Sequence, residues 1–226
     1  MRRAFLLLAL ISVLWCAVLA RGARHASAPS PAPQQKWILI ELDLKRLTLY
    51  QGTTVLKRYP IASGAWDTPS PIGAFTIVSR FKTEMSGFGT RFLRLNVPWG
   101  IYGIHGTNQP GSIGANASHG CIRLRVADAE ALYDLTPNGT RVYVEGGPYG
   151  PLGDSLRMLR PGDRGSHVRE VQLRLRREGF LHGAADGVYG AATSRAVLAA
   201  RERYHLSRED MVDGALYACL GIVLFE

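Results

Sequence analysis

Cys121 follows His119 by two residues and His105 by sixteen, and this trio is the part of the chain best suited to covalent chemistry. A thiol becomes an effective nucleophile near neutral pH beside a base or a positive charge, and an imidazole supplies that most often. His105 and His119 are thus two candidate bases. Between them, Asn108 to Asn116 is rich in turn formers and poor in core residues. Such a stretch runs over the surface, where reactive groups are usually mounted. Gly120, directly before the cysteine, lets the main chain turn sharply and leaves room for a substrate.

Three kinds of chemistry fit these residues. The first is acyl transfer through the Cys121 thiol, with His105 as general base and backbone N–H groups around Gly120 and Cys121 stabilising an oxyanion. The second is a metal site made of His105, His119 and Cys121, which lacks the Cys-x-x-Cys or His-x-x-x-His spacing usual for zinc. The third is a non-catalytic wall- or protein-binding domain whose histidines only satisfy loop hydrogen bonds. Arg123, two residues past the thiol, suits a carboxylate or a structural ion pair.

The elements that must position these groups read as short strands. Trp37–Leu42, Leu47–Tyr50 and Val55–Tyr59 alternate in the β manner, with Gln51-Gly52 as a hairpin turn. Ala74–Val78, Phe92–Leu95, Ile101–Ile104 and Arg141–Val144 continue the series, and His105 is expected at the end of its strand. One amphipathic helix, Val126 to Leu135, is predicted after the cysteine loop, with Val126, Ala129, Leu132 and Tyr133 on one face. Many strands and one helix predict a mostly β domain, a sandwich or partly open barrel, over residues 36–147.

Residues 148–157 read as a linker, and helical periodicity follows. Val168, Val171 and Leu175 share a face, with Ser166 as the expected N-cap and Gly179 as the terminator. A second helix is predicted from about Ala191 to Tyr204 and a short third from about Ala215 to Leu220. These predict a small all-α three-helix bundle over residues 158–221.

The whole chain sets the surroundings. It has 226 residues, a net charge of +9, 46% hydrophobic residues and 20% charged ones, as a globular protein does. The excess of arginine favours anionic surroundings such as a cell envelope, or is simply a solvated surface. No aromatic-basic ribonucleoprotein pattern or zinc-finger spacing points to nucleic acid. Met1-Arg2-Arg3 and the apolar run Ala4–Ala20 have the form of a secretory signal, with an uncleaved anchor as the competing reading. Residues 21–35, rich in Ala, Ser and Pro, read as an extended tether. Membrane contact is expected only through the signal segment. Of the three cysteines, Cys16 belongs to that segment. Export raises the question of a Cys121–Cys219 bridge. Cys219 is better explained as a small core residue of a helix, which leaves Cys121 reactive.

Ile104-His105-Gly106-Thr107 with Ser118-His119-Gly120-Cys121-Ile122-Arg123-Leu124 resembles the signature of the L,D-transpeptidase (YkuD-type) catalytic domain of bacterial cell-wall enzymes. Ser63-Gly64, Thr68–Gly73, Gly89-Thr90-Arg91 and Tyr102-Gly103 support the resemblance, which covers Lys36 to Glu145. It implies that Cys121 attacks a stem-peptide carbonyl and that His105 is its base, oriented by the Gly106 carbonyl. Ser118, His119 and Gly120 are then support and oxyanion-site residues, and Arg123 and Tyr102 are expected to meet substrate. The implied reaction releases a terminal D-Ala and forms a 3→3 cross-link through a cysteinyl thioester, with no metal or organic cofactor. Water as acceptor would make the enzyme an L,D-carboxypeptidase, and a protein amine would make it a wall-anchoring enzyme. Carbapenem-type β-lactams are the expected covalent inhibitors. Residues 159–214 resemble a three-helix peptidoglycan-binding domain, which implies glycan and stem peptide as partners. Ala200-Arg201 departs from its usual aromatic-glutamine pair.

Overall fold

Alternation of apolar residues builds the first domain. Ile38 and Ile40, Leu47 and Leu49, Leu93 and Leu95, and Val142 and Val144 are buried at every second position of their strands. The computed structural model describes residues 35–146, 152 and 155–222, so the expected signal segment, Cys16, the tether up to residue 34 and part of the 148–157 linker lie outside the described residues. The strands are β1 (Lys36–Glu41), β2 (Arg46–Gln51), β3 (Thr54–Pro60), β4 (Ser63–Gly64) and β5 (Gly73–Ser86). Then come β6 (Gly89–Leu95), β7 (Tyr102–Thr107), β8 (Asn116–Ser118), β9 (Ile122–Arg125) and β10 (Arg141–Glu145).

Eight of them form one sheet in the order β3-β2-β1-β10-β5-β6-β7-β9, and β4 pairs with β8. The sheet curls until its ends meet. Just past β3, the Ala62 N–H donates to the Arg123 carbonyl and the Arg123 N–H to the Ala62 carbonyl, both at 2.9 Å. Of the two expected forms this is the partly open barrel. The helix α1 (Val126–Leu135) lies against β6, β7 and β9, burying Ala129 and Leu132. Val126 and Tyr133 sit only half-buried at its margins.

Two strands differ from their sequence reading. β5 runs to Ser86, not Val78, because the polar stretch beyond Val78 pairs with β6 after a bulge. Long-range pairing overrides the missing alternation there. His105 lies inside β7, which continues to Thr107 because β9 pairs alongside it in parallel.

The second core is helical, formed by α2 (Ser166–Arg177), α3 (Ala191–Arg203) and α4 (Gly214–Cys219). Val168, Val171, Leu175, Ala196, Val197 and Ala200 face inward. Leu152 and Leu156, read as linker, pack into this core as well. Ser166 is not the cap of α2: Gly165 holds that position, and the Ser166 Oγ accepts from the Ile72 N–H of the first domain at 2.8 Å. Cys219 is exposed, because Leu216, Tyr217 and Leu220 take up the buried arc of so short a helix. Arg201 is only 1% exposed. Its guanidinium donates to the Ser207 and Met211 carbonyls and pairs with Asp213 at 3.1 Å. The position that departs from the family pattern thus pins α3 to the 207–213 loop. The two cores touch where Val188 packs on the first and where Gly187 passes so close to Trp99 that a Cβ would lie 2.4 Å from the ring.

Candidate active site

The β7–β9 register places the reactive groups. Ile104 pairs with Ile122 and His105 with Arg123, in parallel. Both isoleucines are buried in the core, so His105 and Arg123 stand on the opposite face of the sheet. Cys121, one residue before β9, comes beside Gly103 on that same face, where the Gly103 N–H favours the thiolate. His105, Cys121 and Arg123 are therefore brought together by one strand pair.

The imidazole is held firmly. His105 is 3% exposed. Its ring stacks on Phe92, its cross-strand neighbour on β6, with centroids 5.6 Å apart and planes 5° from parallel. Phe88 meets it edge-on at 5.1 Å. His105 Nδ1 is hydrogen-bonded to the Gly106 carbonyl. A carbonyl only accepts, so Nδ1 carries the proton in the neutral ring and Nε2 keeps the lone pair.

The loop bearing the thiol is tied by Ser118, which is buried. Its Oγ donates to the Cys121 carbonyl and accepts the Gly120 N–H at 3.0 Å. The Gly120 N–H expected at an oxyanion is thereby engaged within the loop. Gly120 has φ +104°, and a Cβ there would lie 2.6 Å from Cε1 of Tyr102. Only glycine fits both the backbone angle and the ring. Tyr102 thus backs the loop, and its burial pushes the phenol up from its ordinary range.

Charge and burial set the protonation states. Burial pushes the Cys121 thiol up from its ordinary range, while the Gly103 N–H and the nearby Arg123 cation pull against it. Burial pulls His105 down, opposed by the Gly106 bond and aided by Arg123. The resting pair at pH 7 is a neutral thiol and a neutral imidazole. Arg123 Nη1 reaches Gln109 Oε1 at 3.4 Å, and its buried Nε has no partner among the described residues. Donor capacity therefore remains next to the thiol.

His119 is elsewhere. It is exposed and lines, with Pro69, Tyr102 and Ser166, the cleft between the two domains. Among the described residues no group of three His, Cys, Asp or Glu side chains gathers as metal ligands would, so His105, His119 and Cys121 do not converge. Cys121 and Cys219 are both free thiols. Phe88, Phe92 and Gln109, which no motif singles out, complete the site. Phe92 carried a usable signal: it lies out of phase with Leu93 and Leu95, so it must face away from the core that they fill.

The L,D-transpeptidase catalytic domain (YkuD) family matches residues 35–144, and the peptidoglycan binding domain family matches residues 164–220. The Bacillus subtilis (strain 168) protein named as the L,D-transpeptidase YkuD is 41% identical over 116 residues, 51% of this chain and 70% of that relative. The chain belongs to the L,D-transpeptidase family. A Bacillus licheniformis protein of the same name is 43% identical over 107 residues, 47% of this chain and 64% of its own length. The solved L,D-transpeptidase from Mycobacterium smegmatis aligns with 50% of this chain and 59% of its own, at 25% identity and a TM-score of 0.43. In this L,D-transpeptidase family member, His105, Ser118, Gly120, Cys121 and Arg123 all lie inside the matched catalytic stretch, and Arg201 inside the peptidoglycan-binding one.

Proposed function

We propose that this chain is an exported peptidoglycan L,D-transpeptidase that joins stem peptides by 3→3 cross-links through a thioester on Cys121. The observation that supports it most is the shared face of His105, Cys121 and Arg123, with the Nδ1 proton committed to Gly106. As the sulfur attacks the carbonyl of the third stem residue, its proton passes to His105 Nε2. The Cys121 N–H is the donor assigned to the oxyanion, since that of Gly120 already serves Ser118. Collapse of the tetrahedral intermediate breaks the bond to the terminal D-Ala, whose amine takes the proton from Nε2. A diamino-acid amine of a second stem then attacks the thioester, gives up a proton to Nε2 and restores the thiol.

Arg123, with spare donors beside the thiol, is placed to hold a stem carboxylate. The basic head Met1-Arg2-Arg3 and the apolar run Ala4–Ala20 support export, and the peptidoglycan-binding stretch supports retention at the wall. A carbapenem-type β-lactam would acylate the same sulfur, with opening of its strained ring in place of D-Ala release. The test is incubation of the purified chain with a tetrapeptide stem, with and without a diamino-acid amine acceptor, read by mass spectrometry. A 3→3 linked dimer supports transpeptidation. Tripeptide alone in both arms would replace it with carboxypeptidase activity, and no release of D-Ala by a folded protein would refute both.

A further inference from the structure

Trp66 is 80% exposed, the most exposed of the large apolar side chains among the described residues, and it stands at a cleft formed by both domains. Burying an indole normally stabilises a fold by about 1.5–3 kcal/mol, as for other large apolar side chains, so one left in water on an ordered loop points to a partner. The loop is ordered from beneath. The Ala65 N–H donates to the Ser118 carbonyl at 2.8 Å, and the Thr68 hydroxyl to the same carbonyl at 3.1 Å. Arg157, from the second domain, places its guanidinium 5.9 Å from the indole centroid. That is a cation–π contact near the outer limit of its range.

The walls of this cleft, about 230 Å³ in volume, carry hydrogen-bonding groups of several kinds: Asp43, Lys45, Asn116 and His167. Asn116 is oriented for use. The Ser63 hydroxyl donates to its Oδ1 at 2.7 Å, which leaves the two Nδ2 protons for an acceptor outside. A flat apolar ring beside oriented amide and charged donors matches a pyranose, which offers C–H groups on one face and hydroxyl or acetamido groups around its rim. The cleft is also connected to the nucleophile. Ser118, to which the Trp66 loop is bonded, stands three residues before Cys121.

We propose that Trp66, Asn116 and Arg157 form a saccharide subsite that holds the glycan strand whose own stem peptide enters at Cys121. This deepens the transpeptidase reading and rests on it for the link to Cys121, but saccharide binding itself is measurable without any turnover. The experiment is isothermal titration of a β-1,4-linked N-acetylglucosamine tetramer into the full chain, the Trp66→Ala, Trp66→Tyr and Asn116→Ala variants, and Cys121→Ala. The expected result is binding to the wild type and to Cys121→Ala alike, at least tenfold weaker binding to Trp66→Ala, weaker binding to Asn116→Ala, and recovery in Trp66→Tyr. Equal affinity of wild type and Trp66→Ala would overturn the subsite, as it would place the saccharide elsewhere, for instance on the helical domain alone. No binding by the wild type would overturn it too. Neither failure touches the transferase chemistry, which the tetrapeptide assay tests without any sugar.

Discussion

Replacing Gly120 by alanine perturbs the nucleophile loop at its tightest point. The new Cβ would meet Cε1 of Tyr102 at 2.6 Å and the Pro69 carbonyl oxygen at 3.2 Å. Carbon atoms in contact sit about 3.5–4.0 Å apart, so the overlap with the ring is about 1 Å. The ring has little freedom to retreat. Gly100 lies close against its Cε2 edge, and the neighbouring Trp99 packs edge-on against Phe75 at 6.1 Å and lies against Gly187 of the second domain. A non-glycine residue at φ +104° adds about 1–3 kcal/mol of strain, and overpacking adds about 1–3 kcal/mol. Gly120→Ala should therefore lose about 2–6 kcal/mol, a large part of the ~5–15 kcal/mol of a typical domain. Relief by loop displacement would instead move the thiol. Denaturant unfolding measures the first outcome, and the pH 7 alkylation rate of Cys121 the second. In a Tyr102→Ala background the overpacking share should disappear, giving a coupling of about 1–3 kcal/mol in the double-mutant cycle. A Gly120→Ala protein with wild-type stability and alkylation would show that the loop is not constrained in this way.

Ser118→Ala strips partners from the Gly120 N–H and the Cys121 carbonyl, and should lower stability by about 1–3 kcal/mol for the unpaired donor, with partial rescue in Ser118→Thr; thermal unfolding measures this. The acid limb of the kcat/KM profile should fall below that of an ordinary imidazole. Protonated His105 cannot accept the thiol proton, and its lowered pKa puts the acid limb below the ordinary imidazole value of about 6.5. Alkylation of Cys121 in a His105→Ala background should titrate above the ordinary thiol range of about 8.5, because burial favours the neutral thiol. Arg201→Met should destabilise the helical domain by about 2–3 kcal/mol in calorimetry, less than a fully buried pair, since Asp213 keeps contact with solvent.

Much of the site was readable because its signals are local. The His105 and Cys121 motifs each fit within a few residues, and the periodicity of Val126–Leu135 gives both ends of α1. What stayed hidden depends on pairings between distant segments. Nothing in Ser79–Thr83 alternates as a strand should, yet β6 recruits it and so carries Phe88 and Phe92 to the imidazole. Ser166 looks like a helix cap until Ile72, ninety-four residues away, proves to be its partner. Gly120 reads as a sharp turn that leaves room for substrate; its φ of +104° fits the turn, but the Tyr102 ring, not a substrate, fills the space beside it. Cys219 reads as a core residue, and is exposed, because so short a helix does not show its buried arc in sequence.

The decisive measurement is intact-protein mass spectrometry with peptide mapping after exposure to a carbapenem, on the wild type, Cys121→Ala and His105→Ala. A single adduct on Cys121 of the wild type, none on Cys121→Ala, and acylation slowed on the order of 10²-fold or more in His105→Ala are expected of a thiol activated by that imidazole. An adduct on Cys219, or His105→Ala acylated as fast as the wild type, would contradict it.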